Sequence, residues 1–290
     1  PGRFFWKTTM VSTRKAIITP GKTRIMGVLN VTPDSFSDGG QFLDPATAVA
    51  RARAMVAEGA HIIDVGGEST RPGASPVSAE QEMARVVPVI EALAQELEVA
   101  ISIDTSKPQV IAAAVHAGAS MVNDVRALQE PGALEAAAAT DALICLMHMQ
   151  GQPRTMQANP RYNAVLTDVR DFLLGRVQVC IDAGIARERL ILDPGFGFGK
   201  SLEHNLELLA NLDVLQATGL PVLVGVSRKA MIGTITGRDA GERVHGSVAA
   251  AVIAAMQGAA IVRVHDVAAT ADGIKMCEAV MAHAQGDEQE

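Results

Sequence analysis

The chain has 290 residues, of which 48% are hydrophobic and 20% are charged, and its net charge is −7. This composition supports a large core and excludes a mainly disordered chain, and the acidic balance argues against a nucleic-acid-binding protein. Length leaves the domain count open, because α/β barrels of about 250 residues form single domains. The cysteines, Cys145, Cys180 and Cys277, lie far apart in apolar segments. We predict free core thiols in a reducing, cytoplasmic compartment.

Eight short segments rich in valine, isoleucine and leucine predict buried strands. They cover residues 24–30, 61–66, 99–104, 121–124, 143–148, 189–193, 222–227 and 260–265. Nearly continuous apolar strands of this length are typical of a parallel sheet that is covered on both faces. Longer segments with helical character separate them, so the chain alternates between strand and helix.

The best-defined predicted helix covers residues 78–97. Ser78 and Gln81 have the spacing of a capping box at its start. Its predicted apolar stripe consists of Met83, Val86, Val87, Ile90, Leu93 and Leu97. The most apolar segment of the chain, residues 248–264, is interrupted by polar residues and Gly258. We therefore predict that it divides into a helix and a strand and does not cross a membrane.

This alternation predicts an α/β protein, a single-domain (β/α)8 TIM barrel, with an open doubly wound sheet as the alternative. The barrel is expected to cover residues 24–283, after an N-terminal tail and barrel-bottom cap at 1–23 and before an acidic tail at 284–290. Polar residues at the strand ends favour the barrel, because these ends meet at its mouth, where active sites lie. They are Asn30, Asp64, Asp104, Asn123, Asp124, His148, Asp193, Ser227, Arg263 and His265.

A single polar residue after a strand commonly caps the next helix, and we interpret Asp64 and Asp124 in this way. The whole set is too large for capping, so it predicts a functional site. The connection after the first strand also indicates function, because long structured connections usually carry it. In MGVLNVTPDSFSDGG, residues 26–40, a loop rich in Asp, Ser and Gly holds Phe36 in its middle.

Seven segments of this chain are similar to dihydropteroate synthases, in the order of that family. They are 26–40, GAHIIDVGGESTRPGA (59–74), SIDTSKP (102–108), NDV (123–125), DPGFGFGK (193–200), GVSRK (225–229) and RVHDV (263–267). The resemblance implies a transferase that joins p-aminobenzoate to 6-hydroxymethyl-7,8-dihydropterin pyrophosphate. The products would be 7,8-dihydropteroate and pyrophosphate, in folate biosynthesis. It also implies a homodimer, a Mg²⁺ cofactor with Asn30 as its ligand, and a target for sulfonamides.

The pterin ring accounts for one group of these residues. Its edge presents an amino group and a ring N–H, and a buried carboxylate such as Asp193 accepts two parallel hydrogen bonds from such an edge. Lys229 suits the neighbouring carbonyl oxygen, unless it is only an exposed lysine. Asp104 and Asn123 are placed to bind the remaining ring nitrogens. Met147 packs against the ring face or is simply core.

Pyrophosphate requires cations and hydrogen-bond donors. Barrels often bind phosphate after strands seven and eight, where Arg263 and His265 lie, and the guanidinium plane of Arg263 also suits the pterin face. The alternative for His265 is a structural histidine. Thr70 and Arg71 add a hydroxyl group and a second cation. Mg²⁺ bound to pyrophosphate keeps several waters, so it needs few protein ligands.

The family resemblance implies dissociative cleavage of the C–O bond, which requires that water be excluded. A closing loop with Asp34 and Phe36 would provide this, with Phe36, Pro72 and Phe198 as walls around p-aminobenzoate. The alternative for Phe198 is core packing. No catalytic base is predicted, because a neutral aniline amine is already nucleophilic. Ala230 departs from the family, which usually has serine there, so a hydroxyl contact to the p-aminobenzoate carboxylate is in doubt.

Three other interpretations remain. A pterin-binding methyltransferase resembles the same barrel, but it has no pyrophosphate leaving group, and the loop at 31–40 and the Arg263–His265 pair argue against it. A non-catalytic pterin-binding protein is disfavoured because Asn30, Lys229 and Arg263 are all present. A phosphate-binding sugar isomerase on the same barrel would not bind pterin.

Overall fold

In the computed structural model, residues 17–32, 45–68, 76–151, 156 and 160–286 are described. Within these ranges the chain forms eight parallel strands. They are β1 (Arg24–Asn30), β2 (Ile62–Gly66), β3 (Ala100–Asp104), β4 (Met121–Asp124), β5 (Leu143–Met147), β6 (Leu190–Asp193), β7 (Leu223–Val224) and β8 (Ile261–Val264). Seven of them lie within one or two residues of the predicted bounds, so the strand predictions are confirmed there.

The strands follow one another around a nearly closed barrel. β1 pairs with both β2 and β8, and the remaining neighbours follow chain order from β2 to β6. An isolated parallel bridge between Leu192 and Val222 joins β6 to β7, and the Leu192 N–H donates to the Pro221 carbonyl at 2.9 Å. A doubly wound sheet would leave two edge strands and reverse its order. The barrel prediction is therefore confirmed.

Strand β7 is shorter than predicted. The prediction covered residues 222–227, whereas the strand is only Leu223–Val224. The chain turns immediately afterwards, because the Lys229 N–H donates to the Val226 carbonyl and Arg228 has a left-handed φ of 58°. An apolar run cannot reveal such a turn, so the prediction was too long here.

Helices surround the barrel. Among the described residues they are α1 (Pro45–Glu58), α2 (Ala79–Glu96), α3 (Pro108–Ala117), α4 (Ala133–Ala138), α5 (Val165–Asp182), α6 (Leu202–Ala210), α7 (Asp213–Gln216), α8 (Ala230–Thr236), α9 (Val244–Met256) and α10 (Val267–Gly286). The apolar segment 248–264 divides between α9 and β8, as predicted. No helix in the described ranges has the length and apolar character needed to cross a membrane.

Helix α2 begins with the predicted capping box, which is complete because Ser78 and Gln81 each bond the backbone of the other. Its buried face differs from the predicted stripe: Glu82, Val86, Val89, Ile90 and Leu93 are buried. Met83, Val87 and Leu97 are only partly buried. Glu82 can be buried on this face because it forms an ion pair with Lys107. Helical periodicity does not reveal such a partner.

The hydrophobic core has two parts. The larger part fills the space between the strands and the helices. The smaller part lies inside the barrel and consists of Ile17, Met26, Ile62, Ala100, Met121, Leu143, Cys145, Ile191, Leu223 and Ile261. Ile17 is fully buried there, ahead of the first strand. The three cysteines are free and buried, as predicted.

Candidate active site

The alternation of side chains along each strand brings the predicted polar residues to one interior surface. Successive strand residues point to opposite faces, so residues two or four positions beyond the interior core face inward again. Asn123 lies two residues after Met121, and Asp193 lies two after Ile191. Four residues after a residue of the interior core come Asn30, Asp104, Met147 and His265. The barrel therefore has an apolar lower interior and a polar upper interior.

Arg263 lies between two carboxylates in this polar layer. Its Nε donates to Asp64 Oδ2 at 2.6 Å, and its Nη2 donates to Asp104 Oδ2 at 2.7 Å. Burial raises the pKa of the Asp104 carboxyl, an effect that Arg263 opposes and Asp64 reinforces. Burial alone would lower the pKa of Arg263, but the two carboxylates raise it, so the guanidinium stays charged. Two N–H groups of the guanidinium form these hydrogen bonds, and its remaining N–H groups can still act as donors.

The interpretation of Asp64 as a helix cap is wrong. Its side chain is fully buried inside the barrel, where Oδ2 also accepts a hydrogen bond from Asn123 Nδ2 at 3.2 Å. Asp64 Oδ1 is buried without a hydrogen-bond partner among the described residues. Asp64 therefore fixes both Arg263 and the amide of Asn123. Its position two residues after Ile62 was the signal that indicated an inward side chain.

Asp124 is structural, as predicted, but the interpretation that it caps the next helix is wrong. It follows Asn123 directly and so lies on the opposite face of β4. Its Oδ1 accepts from the Arg126 N–H and its Oδ2 from the Leu128 N–H, both at 2.8 Å, and Ser106 Oγ donates to it as well. The carboxylate thus caps the turn after β4 rather than the start of a helix.

Asp193 and Lys229 form the second charged part of the site. Asp193 Oδ1 accepts the Gly195 N–H at 2.7 Å. Burial raises the pKa of the Asp193 carboxyl, and Lys229 opposes this effect. Burial also lowers the pKa of Lys229 to about 8. Lys229 Nζ donates to the Phe196 carbonyl and lies 4.7 Å from the centre of the Phe198 ring, so this ring stands at the site and is half-buried.

The glycine-rich loop after β6 packs its backbone directly against the loop after β5. Gly195 has a φ of 70°, and a Cβ atom there would lie 1.9 Å from the His148 carbonyl oxygen. Gly199 has a φ of 62°, and its Cβ would lie 2.4 Å from the Gln150 carbonyl oxygen. Only glycine combines a left-handed φ with such an approach. Met147, which is 3% exposed, borders a cavity of about 380 Å³ that is lined by residues following β4 and β5 and by Phe172.

The ends of β7 and β8 are tied together beside His265. Its Nδ1 lies 3.1 Å from Ser227 Oγ, which also accepts the His265 N–H at 3.2 Å. Arg228 Nε donates to Asp266 Oδ2 at 2.9 Å, and its Nη2 bonds the other oxygen. This bidentate pair holds Lys229 and His265 on adjacent loops. The pairing of Arg228 with Asp266 was not predicted, since an arginine and an aspartate 38 residues apart carry no local signal.

Asn30 is the last residue of β1 and lies beside Gly66. A Cβ atom at Gly66 would lie 3.4 Å from Asn30 Oδ1 and 3.9 Å from Asp104 Oδ2, so the glycine keeps the space between these oxygens open. Oxygen donors of this kind fit a hard cation such as Mg²⁺. No group of three or more His, Cys, Asp or Glu side chains within the described ranges is placed to hold a metal. One amide oxygen therefore fits only a metal that brings other ligands with it.

Five predicted site residues lie outside the described residues. They are Asp34, Phe36, Thr70, Arg71 and Pro72. The loops that hold them, after β1 and β2, begin next to Asn30 and Gly66 at the barrel mouth.

Comparison with known proteins assigns the chain to a family. Residues 26–265 match the family described as pterin binding enzyme. A dihydropteroate synthase of Escherichia coli is 56% identical over 257 residues, which cover 89% of this chain and 91% of that protein. A Yersinia pestis dihydropteroate synthase, solved with a sulfonamide drug complex, has a TM-score of 0.87 at 55% identity, covering 90% of this chain and 95% of the other. The chain belongs to the dihydropteroate synthase family.

A second solved relative supports the same conclusion. The dihydropteroate synthase of Xanthomonas albilineans with 4-aminobenzoic acid has a TM-score of 0.85 at 50% identity, covering 90% of this chain and 94% of the other. Members of the dihydropteroate synthase family are transferases, which does not support the sugar isomerase. The Escherichia coli, Yersinia pestis and Xanthomonas albilineans relatives are all dihydropteroate synthases, which does not support the methyltransferase. The matched segment includes every predicted site residue, from Asn30 to His265.

Proposed function

We propose that the chain condenses 6-hydroxymethyl-7,8-dihydropterin pyrophosphate with p-aminobenzoate, giving 7,8-dihydropteroate and pyrophosphate in folate biosynthesis. The observation that carries this proposal is the convergence of Asp104, Asn123, Asp193 and Arg263 on the barrel interior of a chain from this family. Such a set of buried donors and acceptors discriminates strongly, because a wrong ring leaves them unpaired. The free, buried cysteines and the family support a cytoplasmic enzyme.

The pterin is proposed to bind with its amino edge on Asp193. The carboxylate accepts two parallel hydrogen bonds, and the ammonium of Lys229 donates to the pterin carbonyl. Asn123 Nδ2 is occupied by Asp64, so its Oδ1 is the free end of the amide for a ring N–H. Asp104 binds a neighbouring ring nitrogen. Met147 packs against the face of the ring.

Pyrophosphate is proposed to lie at the ends of β1, β2 and β8. The free N–H groups of Arg263, the ring of His265, and Thr70 and Arg71 donate to its oxygens. Mg²⁺ bound at Asn30 would neutralise charge that develops on the leaving pyrophosphate.

The second substrate is proposed to bind against apolar walls. Phe36, Pro72 and Phe198 enclose the ring of p-aminobenzoate, and Asp34 belongs to the loop that excludes water. Ala230 begins α8 without a hydroxyl group, so a backbone N–H takes the place of the usual serine contact. The C–O bond breaks before the amine attacks, and the electron-rich dihydropterin shares the positive charge. The proton lost by the amine leaves with pyrophosphate or solvent.

The function is tested by following pyrophosphate and 7,8-dihydropteroate together. We expect equal amounts of both products, formed only when p-aminobenzoate and the pterin pyrophosphate are present together. Because C–O cleavage precedes attack, kcat should change little among p-aminobenzoate analogues whose amines differ in basicity. Pyrophosphate release without 7,8-dihydropteroate would show a hydrolase, and a steep dependence on basicity would contradict the dissociative course.

Asn30→Ala tests the proposed metal ligand. We expect Mg²⁺-dependent binding of pyrophosphate to weaken about tenfold, with pterin affinity nearly unchanged, because the amide oxygen contacts only the metal. Isothermal titration calorimetry of pyrophosphate and of a pterin analogue, each with and without Mg²⁺, measures both. Asn211→Ala, at the end of α6, is the matched control. Equal losses for the two ligands would show that Asn30 does not hold the metal.

A homodimer through α9 and α10 is also proposed. These helices pack closely, because a Cβ atom at Gly273 would lie 2.9 Å from Val248 and 3.2 Å from Val252. These two helices also expose four large apolar residues, at 45–66% of their surface: Ile253, Met256, Met276 and Val280. Exposed large apolar side chains on two packed helices are consistent with an interaction surface. Sedimentation equilibrium should give twice the chain mass of 30.3 kDa, and a monomer mass would contradict the proposal.

A further inference from the structure

Lys200 is a buried lysine at the end of the glycine-rich loop after β6. Its side chain is only 3% exposed, and lysine is almost never fully buried without a partner. Within the described part of the chain it forms no ion pair with a carboxylate. Its Nζ instead donates to the carbonyl oxygens of Gly195 at 2.9 Å and Phe198 at 3.1 Å. It also lies 2.9 Å from His148 Nδ1 and 3.3 Å from the His148 carbonyl oxygen.

These contacts join two loops at the barrel mouth. His148 follows β5, and its N–H donates to the Asp193 carbonyl at 2.9 Å. Burial, together with the charge of Lys200, lowers the pKa of His148 to about 3, so the imidazole is neutral. A neutral imidazole accepts a hydrogen bond at one nitrogen only. Burial lowers the pKa of Lys200 to about 7. Where Lys200 is protonated its ammonium donates, so the accepting nitrogen is Nδ1 and the N–H is on Nε2.

Two of the three carbonyls that Lys200 binds, those of Gly195 and Phe198, belong to the loop that holds the proposed pterin contacts. Gly195 donates its N–H to Asp193, and the ring of Phe198 stands against Lys229. Between them, the carbonyl of Phe196 accepts from Lys229. The ammonium therefore fastens both ends of the segment that orders Asp193, Lys229 and Phe198.

We propose that Lys200 is a positioning residue, which fastens the loop at 194–199 to His148 so that Asp193, Lys229 and Phe198 face the pterin. Lys200 acts through these groups and does not touch the substrate. Its charge has a second effect, because Lys200 lowers the pKa of Asp193, while Lys229 and Lys200 repel each other. The proposal rests on the proposed function for the identity of the ligand.

Lys200→Met removes both the hydrogen bonds and the charge. We expect affinity for a pterin analogue to fall roughly 10- to 100-fold, because the loop next to Asp193 loses its hydrogen bonds to Lys200. Three cations face Asp193, namely Lys200, Lys229 and Arg263. Without Lys200 the pKa of the Asp193 carboxyl is higher. As the pH is lowered, the variant should therefore lose pterin binding at a higher pH than the unmodified protein does. The direction of this displacement, toward higher pH, is the result that supports the proposal.

Lys200→Gln and Lys22→Met complete the experiment. The glutamine variant keeps hydrogen-bond donors and loses the charge, so it should show the same pH displacement with a smaller loss of affinity. Lys22→Met makes the same substitution in an exposed ion pair with Glu278 and should leave pterin binding unchanged. Melting temperatures identify the folded variants, and if the methionine variant does not fold, the glutamine variant decides.

Two results would overturn the proposal. One is unchanged affinity and pH profile in a folded variant, and the other is a loss of equal size at every pH, which a merely structural lysine would produce. If the unmodified protein itself bound no pterin analogue, the proposed function would fail instead, so the two failures are distinguishable.

Discussion

Replacing Arg263 with methionine is expected to destabilise the protein and to abolish most of its activity. The change leaves Asp64 and Asp104 facing each other, with side chains only 0% and 12% exposed. Removing one partner of a buried ion pair costs roughly 3–5 kcal/mol, which corresponds to a fall in Tm of roughly 6–20 °C. kcat/KM should fall about a hundredfold or more, because Arg263 is the cation proposed to stabilise the charge that develops on pyrophosphate.

The loss of stability in Arg263→Met should depend on pH. In the variant the guanidinium no longer opposes the effect of burial, so the pKa of the buried Asp104 carboxyl rises further above its unfolded value. The folded state then binds a proton that the unfolded chain has released, and stability falls as pH rises from about 4 to neutrality. Thermal unfolding at pH 5 and pH 8 should therefore show the larger difference from the unmodified protein at pH 8.

Arg53→Met is the matched control for this change. Arg53 lies 2.7 Å from Glu96 on the surface, with both side chains well exposed. Exposed pairs contribute about 0–1 kcal/mol, so its Tm should hardly move. A similar Tm for both variants at every pH would show that the Arg263 pairs do not stabilise the barrel.

Replacing Asp193 with asparagine is expected to weaken pterin binding by about 1.5–3 kcal/mol, or roughly 12- to 160-fold. The amide keeps one acceptor oxygen but loses the charge and presents a donor to the pterin edge. Lys229 also loses the carboxylate that raises its pKa, so binding should weaken further toward alkaline pH. Calorimetry with a pterin analogue between pH 6 and pH 9 measures both effects.

Asp124→Asn separates recognition from general damage. Asp124 is also buried at the end of a strand, but its oxygens cap the turn after β4. The control should lower Tm, because a cap is worth about 0.5–2 kcal/mol, while pterin affinity stays the same. If Asp193→Asn lowered Tm and left pterin affinity intact, Asp193 would be a structural residue.

Much of the barrel was predictable because its determinants are local. The strand segments are bounded by polar residues and turns, and the predicted ends of β1 and β4 match the structure. The family motifs also point to Asp104, Asn123, Asp193 and Arg263, whose side chains meet in the barrel interior. The short β7 was missed, because its end depends on the turn at Arg228 and not on hydropathy.

The partners of these residues were decided only by the tertiary structure. The sequence by itself determined the alternation of strand and helix and the polar character of the strand ends, since both follow from residue type and periodicity. It did not determine that Arg263 joins Asp64 to Asp104, or that Lys200 binds two loops through carbonyl oxygens. Such contacts depend on barrel closure, which brings residues up to 199 positions apart within hydrogen-bond distance. Every residue has a backbone carbonyl, so the sequence does not show which carbonyl will accept a hydrogen bond from a buried ammonium.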